Sequence, residues 1–202
     1  MNPLNSVAGA ITLGVVLAVI LMLVVGVHPV QFNVLGLARW LHILSGVMWI
    51  GLLYYFNVAQ IPALAAANAD KGGPGGAGIT KYVAPRALLW FRWAALATWL
   101  TGSWYLGKNF VTAFTLGNLG QDVYGLTIGI GAWLDTIMLF NVWVLIWPNQ
   151  KKVLGITPAT DEQKAKARRV ATLASRTNFV LSIPMLACMA AAGHGATFGF
   201  AI

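Results

Sequence analysis

The chain has 202 residues, 58% of them hydrophobic and only 9% charged, whereas soluble domains carry about a quarter charged residues. That balance excludes an ordinary water-soluble domain. The formal net charge of +8 does not indicate nucleic acid, because the basic residues sit in short segments between apolar runs and form no stripe interleaved with aromatics. A single cysteine, Cys188, excludes an intramolecular disulfide, a Cys-x-x-Cys redox pair and the Cys-x-x-Cys-His attachment of covalent haem.

A bilayer core about 30 Å thick is crossed by roughly 20 apolar residues in a helix. The chain is therefore expected to be all-α, a single domain over residues 1–202 that forms a polytopic membrane helix bundle of about five transmembrane helices. The first span covers residues 8–27. It has no Lys or Arg before it and no small-x-small cleavage pattern after it, so it is expected to be a retained span and not a signal peptide. The second covers 34–64, ending near Pro62, and the Ala/Gly-rich stretch 65–78 after it has the composition of a flexible loop.

The third span, 86–107, carries Trp104 and Tyr105 near its far end, where amphipathic rings favour the interface. The fourth covers 123–147. A polar segment, 149–169, then holds Lys151, Lys152, Lys164, Lys166, Arg168 and Arg169 against Asp161 and Glu162. The fifth span covers 170–200. Short basic loops remain cytoplasmic, which places 149–169 and 65–85, with Lys71, Lys81 and Arg86, inside. Loops 28–33 and 108–122 then lie outside, the latter with Lys108 offset by Asp122. The N-terminus is expected inside and the C-terminus outside.

Ionisable side chains within spans are costly and are candidate functional residues. Here they are Arg39, His42, Arg92, Asp135, Arg176 and His194. His42 stands eight residues after Val34 and His194 eight before Ile202, so each is roughly 12 Å along its helix from the outer end. Two histidines at one depth on separate helices are what bis-histidine ligation of a b-type haem iron requires. Ala187, Ala190 and Ala191 share the face of His194, Gly193 and Gly195 adjoin it, and Gly46 stands one turn from His42; small residues make room for a flat cofactor. Arg39, three residues before His42, is placed to pair with haem propionates, and Trp49 continues that face to pack on the ring.

Other uses of the same residues stay open. Each histidine alone reads first as one interhelical hydrogen bond, and it is the pair that points to a cofactor. A copper or zinc site lacks a third ligand. His28, in an outer loop, reads as a solvated histidine or as a further metal ligand. A second polar level nearer the cytoplasm comprises Arg92, Asn141 and Arg176, with Asn57 joining from the second span. It either binds an anion, a quinone carbonyl or propionates, or snorkels to the interface. Asp135, mid-way along the fourth span, either pairs with Arg92 or Arg176 or relays protons. The aromatic residues are read as packing and interface anchors.

The run Ala38-Arg39-Trp40-Leu41-His42-Ile43-Leu44-Ser45-Gly46-Val47-Met48-Trp49-Ile50-Gly51, followed by Leu53-Tyr54-Tyr55-Phe56-Asn57, resembles the membrane domain of bacterial urate hydroxylases of the urate-oxidase N-terminal type. Asn141 to Lys152, including Trp147-Pro148-Asn149-Gln150, and Arg176-Thr177-Asn178-Phe179 through Pro184 to His194 resemble it too. Together these stretches cover about a quarter of the chain. The His-x6-Trp-x-Gly pattern from His42 to Gly51 is also similar to copper-resistance and protoporphyrinogen-oxidase membrane families.

In the urate hydroxylases a c-type cytochrome domain follows the membrane domain, and no haem-c motif stands here. The resemblance implies a membrane-bound b-type haem redox protein of the bacterial inner membrane, exchanging electrons with a separate periplasmic c-type cytochrome or partner complex. If it is an enzyme, it implies an oxidoreductase hydroxylating a purine-like substrate. The alternative is a cofactor-free structural or assembly subunit of a larger membrane complex. A channel is disfavoured by the lack of an internal repeat. The oligomeric state, homo-oligomer included, stays open.

Overall fold

A computed structural model describes residues 2–25 and 33–194 of the chain. His28 and the end of the expected fifth span lie outside the described residues. The chain divides into two compact units, Met1–Val34 and Leu35–Ile202, which are treated separately. Among the described residues all regular structure is helical. Four helical stretches are long and apolar enough to cross a membrane: Val7–Val25, Val34–Ala69, Val123–Val153 and Asp161–Ala192.

In the first unit a 3-10 turn, Pro3–Asn5, is capped by the Asn2 side chain, which accepts from the Leu4 amide at 2.9 Å. Helix α1, Val7–Val25, follows. Ser6 Oγ accepts from the Gly9 amide at 3.0 Å and satisfies one of the amides that a helix start leaves open. Its apolar side chains are exposed on every side, the pattern of a helix whose solvent is lipid.

The second unit opens with α2, Val34–Tyr54, and continues without a break through a π-helical turn, Tyr55–Gln60, into α3, Ile61–Ala69. The expected 65–78 loop is therefore shorter than its composition suggested. Ala65 to Ala69 remain helical and helix resumes at Ala77, since Ala is the best helix former wherever neighbouring turns are already in place. A second π turn, Ile79–Val83, leads into α4, Ala84–Leu106. This is the third expected span. It spans 23 residues but, carrying Arg86 and Arg92, is not among the four membrane-length apolar helices.

The 108–122 connection is folded back on itself. A 3-10 turn, Gly107–Asn109, leads to α5, Phe110–Phe114, and then to the single turn α6, Leu116–Gly120. Leu116, Gly117, Asn118 and Leu119 in that turn have φ of 53°, 60°, 49° and 59°, a left-handed path that disfavours residues with a Cβ. Thr115 Oγ1 donates to Asn118 Oδ1 at 3.0 Å and the Asp122 amide to the Gly117 carbonyl at 3.1 Å, which hold it.

Helix α7, Val123–Phe140, is capped by Asp122, which accepts from the Tyr124 amide at 3.1 Å. A third π turn, Asn141–Ile146, joins it to α8, Trp147–Val153. The last helix, α9, is Asp161–Ala192. Much of the polar 149–169 segment is thus helical too, leaving residues 154–160 to make the connection.

Each π turn has the same cause. Pro62, Pro85 and Pro148 stand at the second position of the helix that follows. A proline inside a helix clashes with the carbonyl four residues earlier and leaves it without a donor. Those carbonyls belong to Val58, Lys81 and Val144, all within the π turns, where the wider spacing relieves the clash.

The core of the second unit lies between α2, α4, α7 and α9. Trp49, Leu53, Phe91 and Met138 are its fully buried centre, with Phe56 edge-on to Phe91 at 5.3 Å. The small face of α7 sets the packing distances. A Cβ at Gly125 would lie 2.8 Å from Gly117 Cα, one at Gly129 would fall on the Ala113 carbonyl oxygen, and one at Gly131 would lie 3.1 Å from Cys188 Cβ. Two of these admit the 110–120 fold-back and the third admits α9.

Helix α9 begins with a capping box: Thr160 Oγ1 accepts from the Gln163 amide at 3.3 Å, and Gln163 Oε1 from the Thr160 amide at 3.0 Å. Thr160→Ala is expected to remove about 1 kcal/mol from that helix start. Hydrogen exchange at residues 161–164 should then run about fivefold faster, with the rest of α9 unchanged.

Candidate functional site

His42 lies on α2 and is half-buried. Its Nδ1 stands 2.8 Å from the Thr98 carbonyl oxygen on α4. A carbonyl only accepts, so Nδ1 carries the proton and Nε2 becomes the lone-pair nitrogen. Thr98 Oγ1 donates to the Ala94 carbonyl at 2.7 Å, which fixes its side chain. Gly102, one turn farther on α4, gives the ring its place: a Cβ there would lie 2.8 Å from both Cε1 and Nδ1 of His42.

His194 follows the end of α9. Its Nδ1 lies 2.8 Å from the Ala190 carbonyl oxygen, so here too Nε2 is the lone-pair nitrogen. Metal-binding histidines are commonly oriented in this way, by giving the other ring N–H to a backbone carbonyl. Both histidines line a single cavity of about 1050 Å³ within the second unit, at the upper end of the roughly 300–1,000 Å³ of small-molecule sites.

Arg39, Gly46 and Trp49 line the same cavity. Arg39 is exposed and Trp49 fully buried. A Cβ at Gly46 would meet Thr98 Cγ2 only at 3.8 Å, an ordinary contact, so Gly46 is not required by packing against α4. Of the residues grouped with the two histidines from the sequence, Arg39, Gly46, Trp49, Ala190 and Gly193 line this cavity, Ala187 and Ala191 do not, and Gly195 lies outside the described residues. The contributions from α4, Thr98 and Gly102, are not legible in the sequence, because a backbone acceptor and an absent side chain carry no motif.

Asp135 requires a correction. It pairs with neither Arg92 nor Arg176, and the one ion pair among the described residues is Lys164 with Asp161, at 3.5 Å. Asp135 is 5% exposed, lines the histidine cavity, and its Oδ1 has no hydrogen-bond partner among the described residues. Helix α7 turns it toward the histidine cavity, which neither arginine lines.

The inner polar level also divides. Arg92 stacks on Trp147, its guanidinium carbon 3.8 Å from the ring centroid. Arg176 is exposed. Asn141 Nδ2 donates to Asn178 Oδ1 at 2.8 Å, and Asn178 Nδ2 to the Met138 carbonyl at 2.9 Å, both buried. Asn57 Nδ2 donates to Ser175 Oγ at 3.0 Å and to the Leu53 carbonyl at 2.9 Å. The amides act as an interhelical lock beside the π turns and not as a shared site with the arginines. Asn178→Leu is expected to leave Asn141 Nδ2 buried and unpaired, at a cost of about 1–3 kcal/mol. A lowered thermal midpoint in detergent checks this.

Among the other cavity-lining polar groups, Trp99 is paired within the bundle, while Trp49 Nε1 has no hydrogen-bond partner among the described residues. Trp99 Nε1 donates to Thr136 Oγ1 at 2.9 Å, and Thr136 Oγ1 to the Ala132 carbonyl at 2.8 Å. No cluster of three or more His, Cys, Asp or Glu side chains able to hold a metal ion occurs among the described residues. A group held by two axial nitrogens does not need one.

Comparison with curated proteins and with solved structures gives no match. Comparison with protein families gives one. Residues 111–202 match the family model described as urate oxidase N-terminal. The match takes in α5 to α9 with Asp135 and His194, and leaves His42 outside it. Over somewhat less than half of its length, the chain resembles the urate oxidase N-terminal domain.

Proposed function

We propose that the chain is a membrane-embedded b-type haem redox protein that exchanges electrons with a c-type cytochrome or partner complex at the periplasmic face of a bacterial inner membrane. The single observation that supports it best is the pair of histidines on one cavity, each with Nδ1 given to a backbone carbonyl, which makes Nε2 the unprotonated ring nitrogen. His42 and His194 would be the axial ligands. Arg39 would meet the propionates, and Gly46 would leave room for the macrocycle.

When bound, the haem supplies a one-electron couple. The chain's own residues do the rest. The Thr98 and Ala190 carbonyls orient the imidazoles and raise their basicity. Gly102 leaves the His42 ring its position, and the apolar wall excludes water. The family match supports an oxidoreductase setting, with hydroxylation of a purine-like substrate as its enzymatic form. The charge distribution supports a five-span arrangement with α4 as a span, residues 70–76 and 154–160 in the cytoplasm, and the N-terminus inside.

The test is the dithionite-reduced minus oxidised spectrum of protein purified in mild detergent. A b-type α band that disappears in His42→Ala and in His194→Ala, with helicity kept, is the expected result. A folded protein with no α band and no other cofactor leaves the cofactor-free assembly subunit as the reading, and partner co-purification then becomes the assay.

A further inference from the structure

Away from the histidine cavity, two cations share one aromatic ring. The Arg92 guanidinium carbon of α4 lies 3.8 Å from the Trp147 ring centroid, and Lys151 Nζ, one turn beyond that tryptophan in α8, lies 6.0 Å from it. All three residues are half-buried. A guanidinium held by its face keeps its N–H groups, which radiate in its plane, for another partner. Neither they nor the Lys151 ammonium find an acceptor among the described residues, where the one ion pair is Lys164 with Asp161. The five side-chain carboxylates stand elsewhere. Asp70 accepts from the Gly72 amide, Asp122 caps α7, Asp135 lines the histidine cavity, and Asp161 and Glu162 open α9. Like charges gathered at one ring and partly removed from water repel each other. The arrangement therefore calls for an anion that the chain does not supply.

The seam around the ring indicates what carries that anion. Helix α4 runs antiparallel to the rod of α7 and α8, and three contacts hold the register. Trp99 Nε1 donates to Thr136 Oγ1 at 2.9 Å, Trp93 lies edge-on to Trp143 at 5.3 Å, and Arg92 covers Trp147. Beyond the cations the same two segments carry exposed apolar side chains. Trp93 and Leu100 on α4 are both 52% exposed, and Phe140 and Val144 before Trp147 are 56% and 49% exposed. The rod that bears the last two is membrane-length. Positive charge at one end of a seam and apolar surface along the rest match a headgroup and its acyl chains, and a tryptophan ring favours the boundary between them.

We infer that Arg92, Trp147 and Lys151 form a site for the phosphate of an anionic glycerophospholipid, in the leaflet next to residues 154–160. Arg92 offers phosphate oxygens the edge of its planar fork, and Lys151 adds a point charge beside it. The ring holds both cations at the level of the headgroups without neutralising either. Neither cation lines the histidine cavity, so the site stands whether or not a haem occupies that cavity. The proposal concerns binding alone, and no bond is made or broken in it.

The experiment titrates the full chain, in dodecyl maltoside, with dioctanoyl phosphatidylglycerol and counts bound lipids by native mass spectrometry. One saturable lipid per chain is expected. Dioctanoyl phosphatidylcholine, whose own ammonium opposes the two cations, should bind about tenfold more weakly. Lys151→Gln should weaken phosphatidylglycerol binding about tenfold, the equivalent of one charge-assisted hydrogen bond, and Lys151→Arg should restore it. Arg92→Gln should do as Lys151→Gln does. Arg168→Gln removes the same charge from an exposed position on α9 and should change nothing. Lys151→Gln leaves the Arg92 contact with Trp147 in place, so the proposal stays falsifiable if Arg92→Gln does not fold.

Equal affinity for the two lipids, or equal losses in Lys151→Gln and Arg168→Gln, would overturn the site. Inorganic phosphate in excess should not displace the lipid; full displacement would make this a site for the free ion and overturn the lipid assignment. The reduced spectrum of the same samples separates this site from the haem. An α band without lipid preference removes the headgroup site only, and lipid preference without an α band removes the haem only.

Discussion

Gly102→Ala is expected to lower haem affinity by 10- to 100-fold while leaving the bundle folded. The added Cβ would lie 2.8 Å from Cε1 and Nδ1 of His42, well inside van der Waals contact. The ring must turn away, and the 2.8 Å hydrogen bond to the Thr98 carbonyl is lost with it. Loss of a group that orients a metal-ligating histidine costs 10- to 100-fold in affinity. Alanine is the better helix former by about 1 kcal/mol, so the helix itself is not weakened. Haem retention on gel filtration, set beside the thermal midpoint of the haem-free protein, is the measurement. Full haem occupancy in this variant would show that the His42 ring orientation is not what holds the iron.

Gly129→Ala is expected to be strongly damaging, lowering stability by about 3 kcal/mol, near the top of the range for overpacking a tight contact. The new methyl would fall on the Ala113 carbonyl oxygen, which is backbone and cannot swing aside. Either α7 moves from the 110–120 fold-back or the fold-back leaves its place. Phe114 and Tyr124 line the cavity, so the wall opens at the same time. Gly14→Ala on α1, where a Cβ meets nothing within 4 Å, is the control that should be neutral. Thermal unfolding in detergent, followed by light scattering, distinguishes the two. Equal midpoints would mean that the fold-back does not pack against α7 as described.

The helical class and the approximate limits of the long helices were legible in the sequence because they rest on hydropathy and length, which a bilayer constrains strongly. Where the chain leaves the apolar phase the signal fades. The stretch 65–78 looked like a loop from its Ala and Gly content, yet Ala65–Ala69 extend a helix already nucleated by α2. The fold-back at 110–120 was read as a plain connection. Its structure depends on the absence of side chains at Gly117, Gly125 and Gly129, and an absence has no periodicity.

The outer site was legible in part. His42 and His194 could be grouped by depth, since rise per residue converts spacing into level, and Arg39, Gly46 and Trp49 by sharing the face of His42. Which way a helix turns a given residue at that level could not be read in the same way. The sequence leaves Asp135 open between pairing with Arg92 or Arg176 and relaying protons, and the rotation of α7 gives it to the cavity. The Asn178 partner of Asn141 was missed because an amide pair carries no charge to mark it.

The π turns before Pro62, Pro85 and Pro148 each give a helix one residue more than its ladder of hydrogen bonds needs. One residue is about 100° of rotation on an α-helix. Sequence offsets of three, four and seven therefore do not identify neighbours when they are counted across Tyr55–Gln60 or Asn141–Ile146. That phase slip lets one continuous rod present its cavity-lining residues on the half before the turn and its amide clasp to α9 from the turn onward. The two halves are free to change independently, because a mutation that alters the facing of one does not re-aim the other.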